Sequence, residues 1–212
     1  MNIRLQNVRP TGIIEPVKSG TVWDGDVHID TAKHHLVRGA SGRGKSTLLH
    51  LLNGIRRDYK GTLSIDGEDI REFSNNRWAG LRQNHISMVF QDLRLIAELT
   101  ARENLLLKAN LTDSSKMQQA ETLAKRLQIA EHLDKPCARL SYGQQQRLAH
   151  LRALLQPFDL LLLDEPFSHL DPANTETCMG VILEACAERG AGLLLATLDS
   201  DYGLDYASEL RV

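Results

Sequence analysis

HHLVRGASGRGKSTLLHLLNGI, residues 34–55, decides the fold. Its apolar start has the length of a strand, its middle is rich in glycine and small polar residues, and its end carries leucines at helical spacing. Within the loop, Gly39 to Ser46 fits the pattern G-x-x-x-x-G-K-[ST] at every fixed position. Glycine lets backbone N–H groups turn inward around phosphate oxygens, and the following helix points its positive N-terminal end at the same place. The candidate nucleotide contacts are therefore Gly39, Ala40, Ser41, Gly42, Arg43, Gly44, Lys45, Ser46 and Thr47. Lys45 is expected to reach the β and γ phosphates of a nucleotide, and Ser46 to hold Mg2+ through its hydroxyl.

On either side of this unit the pattern alternates. IRLQNVR (3–9), TVWDGDVHI (21–29) and TLSIDGEDI (62–70) read as short strands, with Asp66-Gly67 as a hairpin signal, so the N-terminal third includes an antiparallel patch. ISMVF (86–90), DLLLLDEP (159–166) and GLLLAT (192–197) are apolar runs of the kind buried on both faces of a parallel sheet. Between Gln91 and Phe158 the periodicity turns helical. Thr100 with Glu103 and Ser141 with Gln144 are capping-box signals, Pro157 closes the second helix, and Asp171-Pro172 opens a later one that Gly190 or Gly192 ends. The expected fold class is α/β: a mostly parallel sheet, an N-terminal antiparallel β patch and a helical subdomain inserted at about 92–157, within a single domain 1–212.

LLLLDE (160–165) supplies a second element of a nucleotide site. A buried strand ends in Asp164, suited to the metal shell, followed at once by Glu165, suited to activating water. Gln91, directly after ISMVF, is a neutral side chain able to touch both metal and water.

Composition narrows the function classes. A chain of 212 residues that is 42% hydrophobic, 25% charged and 5% aromatic is ordinary for a soluble globular protein. A formal charge of −2 lacks the basic excess of a nucleic-acid surface, so no nucleic-acid partner is expected. Arg56, Arg57, Lys60, Arg71, Arg77 and Arg82 read as a solvated flank. The three cysteines show no paired zinc spacing, and their odd number argues against a disulfide framework, which suits a reducing cytosol. No apolar signal core opens the chain and no run has the length of a membrane span, so a membrane role is expected to come through a partner.

The phosphate loop, Gln91, LSYGQ (140–144), LLLLDEP and SHLD (168–171) occur in the order and approximate spacing of an ATP-binding cassette (ABC) transporter ATPase, which the chain resembles over nearly its whole length. The resemblance implies a P-loop NTPase (RecA-like) core. It also implies two cassettes clamping two ATP molecules between them, with Ser141, Gly143, Gln144 and Asp171 of one contacting the nucleotide of the other. Glu165, Gln91 and Lys45 take the catalytic roles, and Ser46, Gln91 and Asp164 arrange Mg2+. The expected partners are a second cassette, most simply an identical one, and an integral-membrane permease on the cytoplasmic face of the membrane. MVFQDLRLIAELTARENLL (88–106) resembles cassettes of the lipoprotein-releasing, macrolide-exporting and cell-division type.

Three departures from the family pattern stand out. Tyr142 replaces the first glycine of the usual LSGGQ, with little damage expected because Ser141, Gly143 and Gln144 remain. Leu198 stands where the family places a histidine against the γ-phosphate; losing one oriented donor to developing charge costs about 3 kcal/mol, roughly a hundredfold in rate. No Phe, Tyr or Trp lies between Val8 and Ser19, where the family often stacks adenine, and Trp23 reads as part of the following strand. Two readings follow: an ATP-hydrolysing motor subunit, or a binding module in which ATP occupancy alone sets the partner's shape. A soluble ABC ATPase of DNA repair or translation fits poorly, since those members carry long coiled coils or tandem cassettes.

Overall fold

The four leucines at 160–163 have no accessible surface. A strand buried on both faces must sit inside a sheet covered on each side. The computed structural model describes residues 1–12, 20–107, 114–198 and 200–212. That leucine run is β7 (Leu160–Asp164), inside a five-stranded sheet with β6 (Ile86–Val89), β8 (Gly192–Thr197), β3 (His35–Arg38) and β9 (Ser208–Arg211) in the order β6-β7-β8-β3-β9. β7 pairs parallel to β8, and β3 pairs parallel to both β8 and β9. β9 carries no apolar run, only the polar stretch SELR with Leu210 buried, so pairing with β3 rather than patterning makes it a strand.

The second sheet is antiparallel. β1 (Asn2–Pro10) lies between β2 (Asp26–Asp30) and β4 (Tyr59–Ile65), with β5 (Glu68–Asp69) folding back on β4 across Asp66-Gly67. β2 starts at Asp26 instead of Thr21. Residues 21–25 form turns, and Trp23 is buried within them at 2% exposure, outside any strand. The stretch Val8 to Ser19 falls largely on residues 13–19, outside the described residues.

α1 (Lys45–Leu52) contacts β7 and β8, burying Leu48, Leu49, Leu51 and Leu52. α2 (Asn75–Asn84) buries Trp78 completely. The guanidinium groups of Arg57 and Arg82 lie 5.8 Å and 6.0 Å from that ring, and Arg77 lies 4.1 Å from Phe73. Part of the basic cluster is thus packed on aromatic faces instead of merely solvated.

The chain divides into two compact units. One holds residues 1–88, 158–165 and 190–212, which include both sheets; the other holds residues 89–157 and 166–189. The second is helical, with α3 (Ala101–Leu106), α4 (Ser114–Arg126), α5 (Tyr142–Leu154) and α6 (Pro172–Arg189). α5 packs on α3, α4 and α6. Both capping boxes form: Thr100 accepts from the Glu103 amide, Ser141 from the Gln144 amide, and each acid or amide side chain answers in return. α6 stops at Arg189, where Gly190 takes φ +61°. Cys137, Cys178 and Cys186 are buried free thiols.

Candidate nucleotide site

The glycine-rich turn follows β3 and enters α1 through Gly42 and Gly44, whose φ angles are +77° and +109°. These left-handed conformations favour glycine, and Gly44 caps the helix with no side chain on the first amides of α1. Those amides and the helix dipole suit an anion, so the turn fits a phosphate chain. Gly39 is needed for another reason: a Cβ there would lie 2.5 Å from the Val212 side chain. Ser46 and Thr47 are partly buried in the first turn of α1, and Ala40, Ser41 and Arg43 are exposed on the loop.

Lys45 is 7% exposed and folds back over the loop, donating to the Gly39 carbonyl at 2.8 Å and facing Glu165 Oε1 at 3.2 Å. Its ammonium therefore bridges loop and carboxylate. Asp164 ends β7 at 2% exposure, opposite Ala196 of β8. The next residue, Glu165, takes φ +47°, a conformation costly for a side chain-bearing residue, while its amide donates to the Ala196 carbonyl at 2.9 Å. That kink turns the acidic side chain to Lys45. The Ser46 hydroxyl and the Asp164 carboxylate are hard oxygen donors, which suits Mg2+. Among the described residues no cluster of three His, Cys, Asp or Glu forms a metal cage.

β8 ends at Thr197, buried, and Leu198, which is 45% exposed. Past it, Tyr202 takes φ +54° and hydrogen-bonds through its phenol with the Thr197 side chain. Burial, with the Glu165 charge adding to it, pushes the phenol pKa up, so Tyr202 stays a proton donor. The chain around it is pinned: Asp201 pairs with Arg38 at 3.1 Å, Tyr206 donates to the Asp201 carbonyl at 2.8 Å, and the Tyr202 amide donates to Ser200 Oγ at 3.2 Å. Sequence reasoning passed over Tyr202, because nothing local marks it.

The helical unit assembles the remaining candidates. Ser141 opens α5, with Gly143 in its first turn; there a Cβ would meet the His169 carbonyl and Leu170 at 3.4 Å. Gln144 closes the capping box through Oε1, 2.9 Å from the Ser141 amide, and its Nε2 lies 2.9 Å from His132. Tyr142 does more than occupy a glycine position. Its ring lies 4.2 Å from that of His169 and its hydroxyl donates to the Gln91 carbonyl at 3.3 Å, tying three motifs of the same unit together. Gln91 itself is exposed. Beyond it, Leu93 and Arg94 take φ +57° and +47°, a strained turn held by Arg152, whose guanidinium donates to both carbonyls at 2.6 Å and 2.7 Å. Arg152 had no sequence signal. Asp171 caps α6, accepting from the Asn174 amide at 2.8 Å, and that bond leads the interactions holding its carboxyl below the usual range.

A model of the ABC transporter family matches residues 24–168. The chain belongs to that family. The cassette is 34% identical over 203 residues to the lipoprotein-releasing system ATP-binding protein LolD of Porphyromonas gingivalis, spanning 94% of this chain and 90% of that one. It is 31% identical over 202 residues to the macrolide export ATP-binding/permease protein MacB of Syntrophobacter fumaroxidans, covering 93% of this chain but 28% of MacB. The fold matches the dimeric MJ0796 ABC transporter cassette with a TM-score of 0.79 at 26% identity, covering 93% and 88% of the two chains. It also matches that cassette bound to ADP and Pi, with a TM-score of 0.75 at 25% identity over the same shares. These likenesses establish an α/β P-loop cassette and place the chain among ATP-binding subunits of transporters; the family hydrolyses ATP in general. Among the described residues no helix is long and apolar enough to cross a membrane.

Proposed function

We propose that this cassette hydrolyses ATP as one half of a dimer, most simply a homodimer, and drives an integral-membrane permease from the cytoplasmic face of the membrane. It acts as a single domain, residues 1–212, in which about 92–157 form the helical insertion. The observation that carries the hydrolytic reading is the 3.2 Å pairing of Lys45 with Glu165 beside the phosphate loop. A cation able to hold β and γ phosphates and a carboxylate able to take a proton from water share one site. Gly39 to Thr47 bind the triphosphate, Glu165 acts as base, and Lys45 neutralises phosphate charge. Ser46 and Asp164, with Gln91, hold Mg2+, which when bound offsets the charge of the phosphate oxygens. Ser141, Gly143, Gln144 and Asp171 contact the nucleotide of the second cassette, as the family pattern implies.

The experiment is Glu165→Gln in the full chain. Retained ATP binding, slow phosphate release and an accumulated dimer support the assignment; unchanged turnover removes Glu165 from its role.

Leu198 supports a second reading, because an exposed aliphatic side chain at the end of β8 can neither donate nor accept. In that reading ATP occupancy alone biases the partner. Background-level phosphate release in the presence of the permease favours this binding module, whereas a large gain from Leu198→His identifies the missing contact as the limit on hydrolysis.

A further inference from the structure

Just past the end of β6, Gln91 leads into a turn that its own sequence disfavours. Leu93 and Arg94 take φ +57° and +47° in succession, and neither is glycine. A left-handed pair of side chain-bearing residues persists only where surrounding contacts impose it. Within the turn, the Leu93 amide donates to the Phe90 carbonyl at 3.0 Å and the Arg94 amide to the Asp92 carbonyl at 2.6 Å. Those bonds close the turn without tying it to the rest of the helical unit.

Arg152, in the last turn of α5, supplies the tie. Its Nη2 donates to the Leu93 carbonyl at 2.6 Å and its Nη1 to the Arg94 carbonyl at 2.7 Å, so one planar guanidinium grips two consecutive peptide units. The residue is 9% exposed, and a cation taken out of water is costly unless its protons are bonded. Here those bonds go to the strained turn beyond Gln91. Being charge-assisted and short, they outweigh the neutral bond of the Tyr142 hydroxyl to the Gln91 carbonyl at 3.3 Å. Farther along, the buried Asn104 side chain accepts from the Ile96 amide at 2.8 Å and donates to the Ile96 carbonyl at 3.0 Å, which fixes the far end of the segment. The Gln91 side chain is exposed, yet the backbone that follows it is held by buried groups, all of them within the helical unit.

We propose that Arg152 is a positioning residue for Gln91: by fixing the left-handed turn at Leu93 and Arg94, it sets where the Gln91 side chain stands when it meets metal and water. The inference rests on the role of Gln91 in hydrolysis proposed above. Arg152 acts through the backbone, so what counts at position 94 is the conformation and not the side chain.

Two changes in the full chain disturb the turn from opposite sides. Arg152→Lys keeps a cation but loses the fork that grips both carbonyls. Arg94→Val leaves Arg152 intact and places a β-branched residue, which resists positive φ, at an exposed position, so the question stays answerable if lysine is not tolerated inside. Arg94→Gly is the control: it loses the same contacts, with the Phe90 ring at 4.0 Å and Asp92 at 3.5 Å, but accepts positive φ freely. In the nucleotide-free chain, hydrogen exchange at the amides of residues 93 and 94 should quicken at least about tenfold in Arg152→Lys and Arg94→Val, and by less than about threefold in Arg94→Gly. With Mg2+ and ATP, the first two should lose at least about tenfold in kcat and the third less than about threefold, while a non-hydrolysable ATP analogue binds all three within about threefold of the unsubstituted chain by calorimetry. Added to Gln91→Ala, neither slowing change should cost more than about a further twofold, because all act through one side chain. Equal turnover in Arg94→Val and Arg94→Gly, full additivity with Gln91→Ala, or faster exchange without a loss of kcat overturns the inference. If Gln91→Ala turns over like the unsubstituted chain, or the unsubstituted chain releases no phosphate, the role of Gln91 in hydrolysis fails first, and this inference with it.

Discussion

His150 sits near the end of the helix that Ser141 opens, 1% exposed, with the Phe167 ring 5.2 Å away and neither ring nitrogen in a hydrogen bond of ordinary geometry. Burial pushes its pKa down to about 4, and the Pro166 carbonyl, which favours a proton, does not offset it. In the unfolded chain the same imidazole titrates near 6.5. The folded state therefore refuses a proton that the unfolded state accepts, and stability falls as pH drops from about 6.5 to about 4. The full effect is roughly 3 kcal/mol, of which about 2 kcal/mol is lost between pH 7 and pH 5. His150→Leu keeps the volume and removes the titration. At pH 7 it should unfold in urea within about 1 kcal/mol of the parent, because no hydrogen bond of ordinary geometry is broken; at pH 5 it should be the more stable by about 2 kcal/mol. His34, whose pKa burial also lowers, contributes to both proteins and cancels in the difference. Parallel stability profiles for parent and variant across that range would refute the assignment of a neutral, desolvated imidazole.

Two glycines separate packing from propensity. At Gly54, φ is +67° and a Cβ would lie 2.3 Å from the Trp78 ring, so Gly54→Ala should cost at least about 2 kcal/mol in urea and disturb tryptophan fluorescence. Gly80, inside α2 with nothing within 4 Å of an added Cβ, should instead gain about 0.5–1 kcal/mol on change to alanine. Tyr142→Phe keeps the ring on His169 and loses only the bond to the Gln91 carbonyl, costing about 1 kcal/mol or less by urea unfolding and changing steady-state ATPase activity by less than about threefold.

The sites most legible in the sequence are those whose parts adjoin along the chain. Gly42, Gly44 and Lys45 lie within one turn, and the turn's need for left-handed backbone and a phosphate-facing helix start is a local property. The capping boxes of Thr100 and Ser141 were equally legible, since each closes over three residues. Trp23 was not: an apolar ring in a β-rich stretch suggests a strand, but here the ring is buried from a turn. β9 escaped for the opposite reason, having polar residues that become a strand only because β3 offers an open edge.

Residue order alone specified the phosphate-binding turn, the acidic pair at the end of a buried strand and the caps of the helices around them, because backbone conformation and short-range hydrogen bonding are governed by near neighbours. Tertiary structure alone decided that Lys45 meets Glu165 and that Tyr142 rests on His169. Those contacts join segments distant along the chain, and which side chains meet is set only when the sheet and the helices close on their cores.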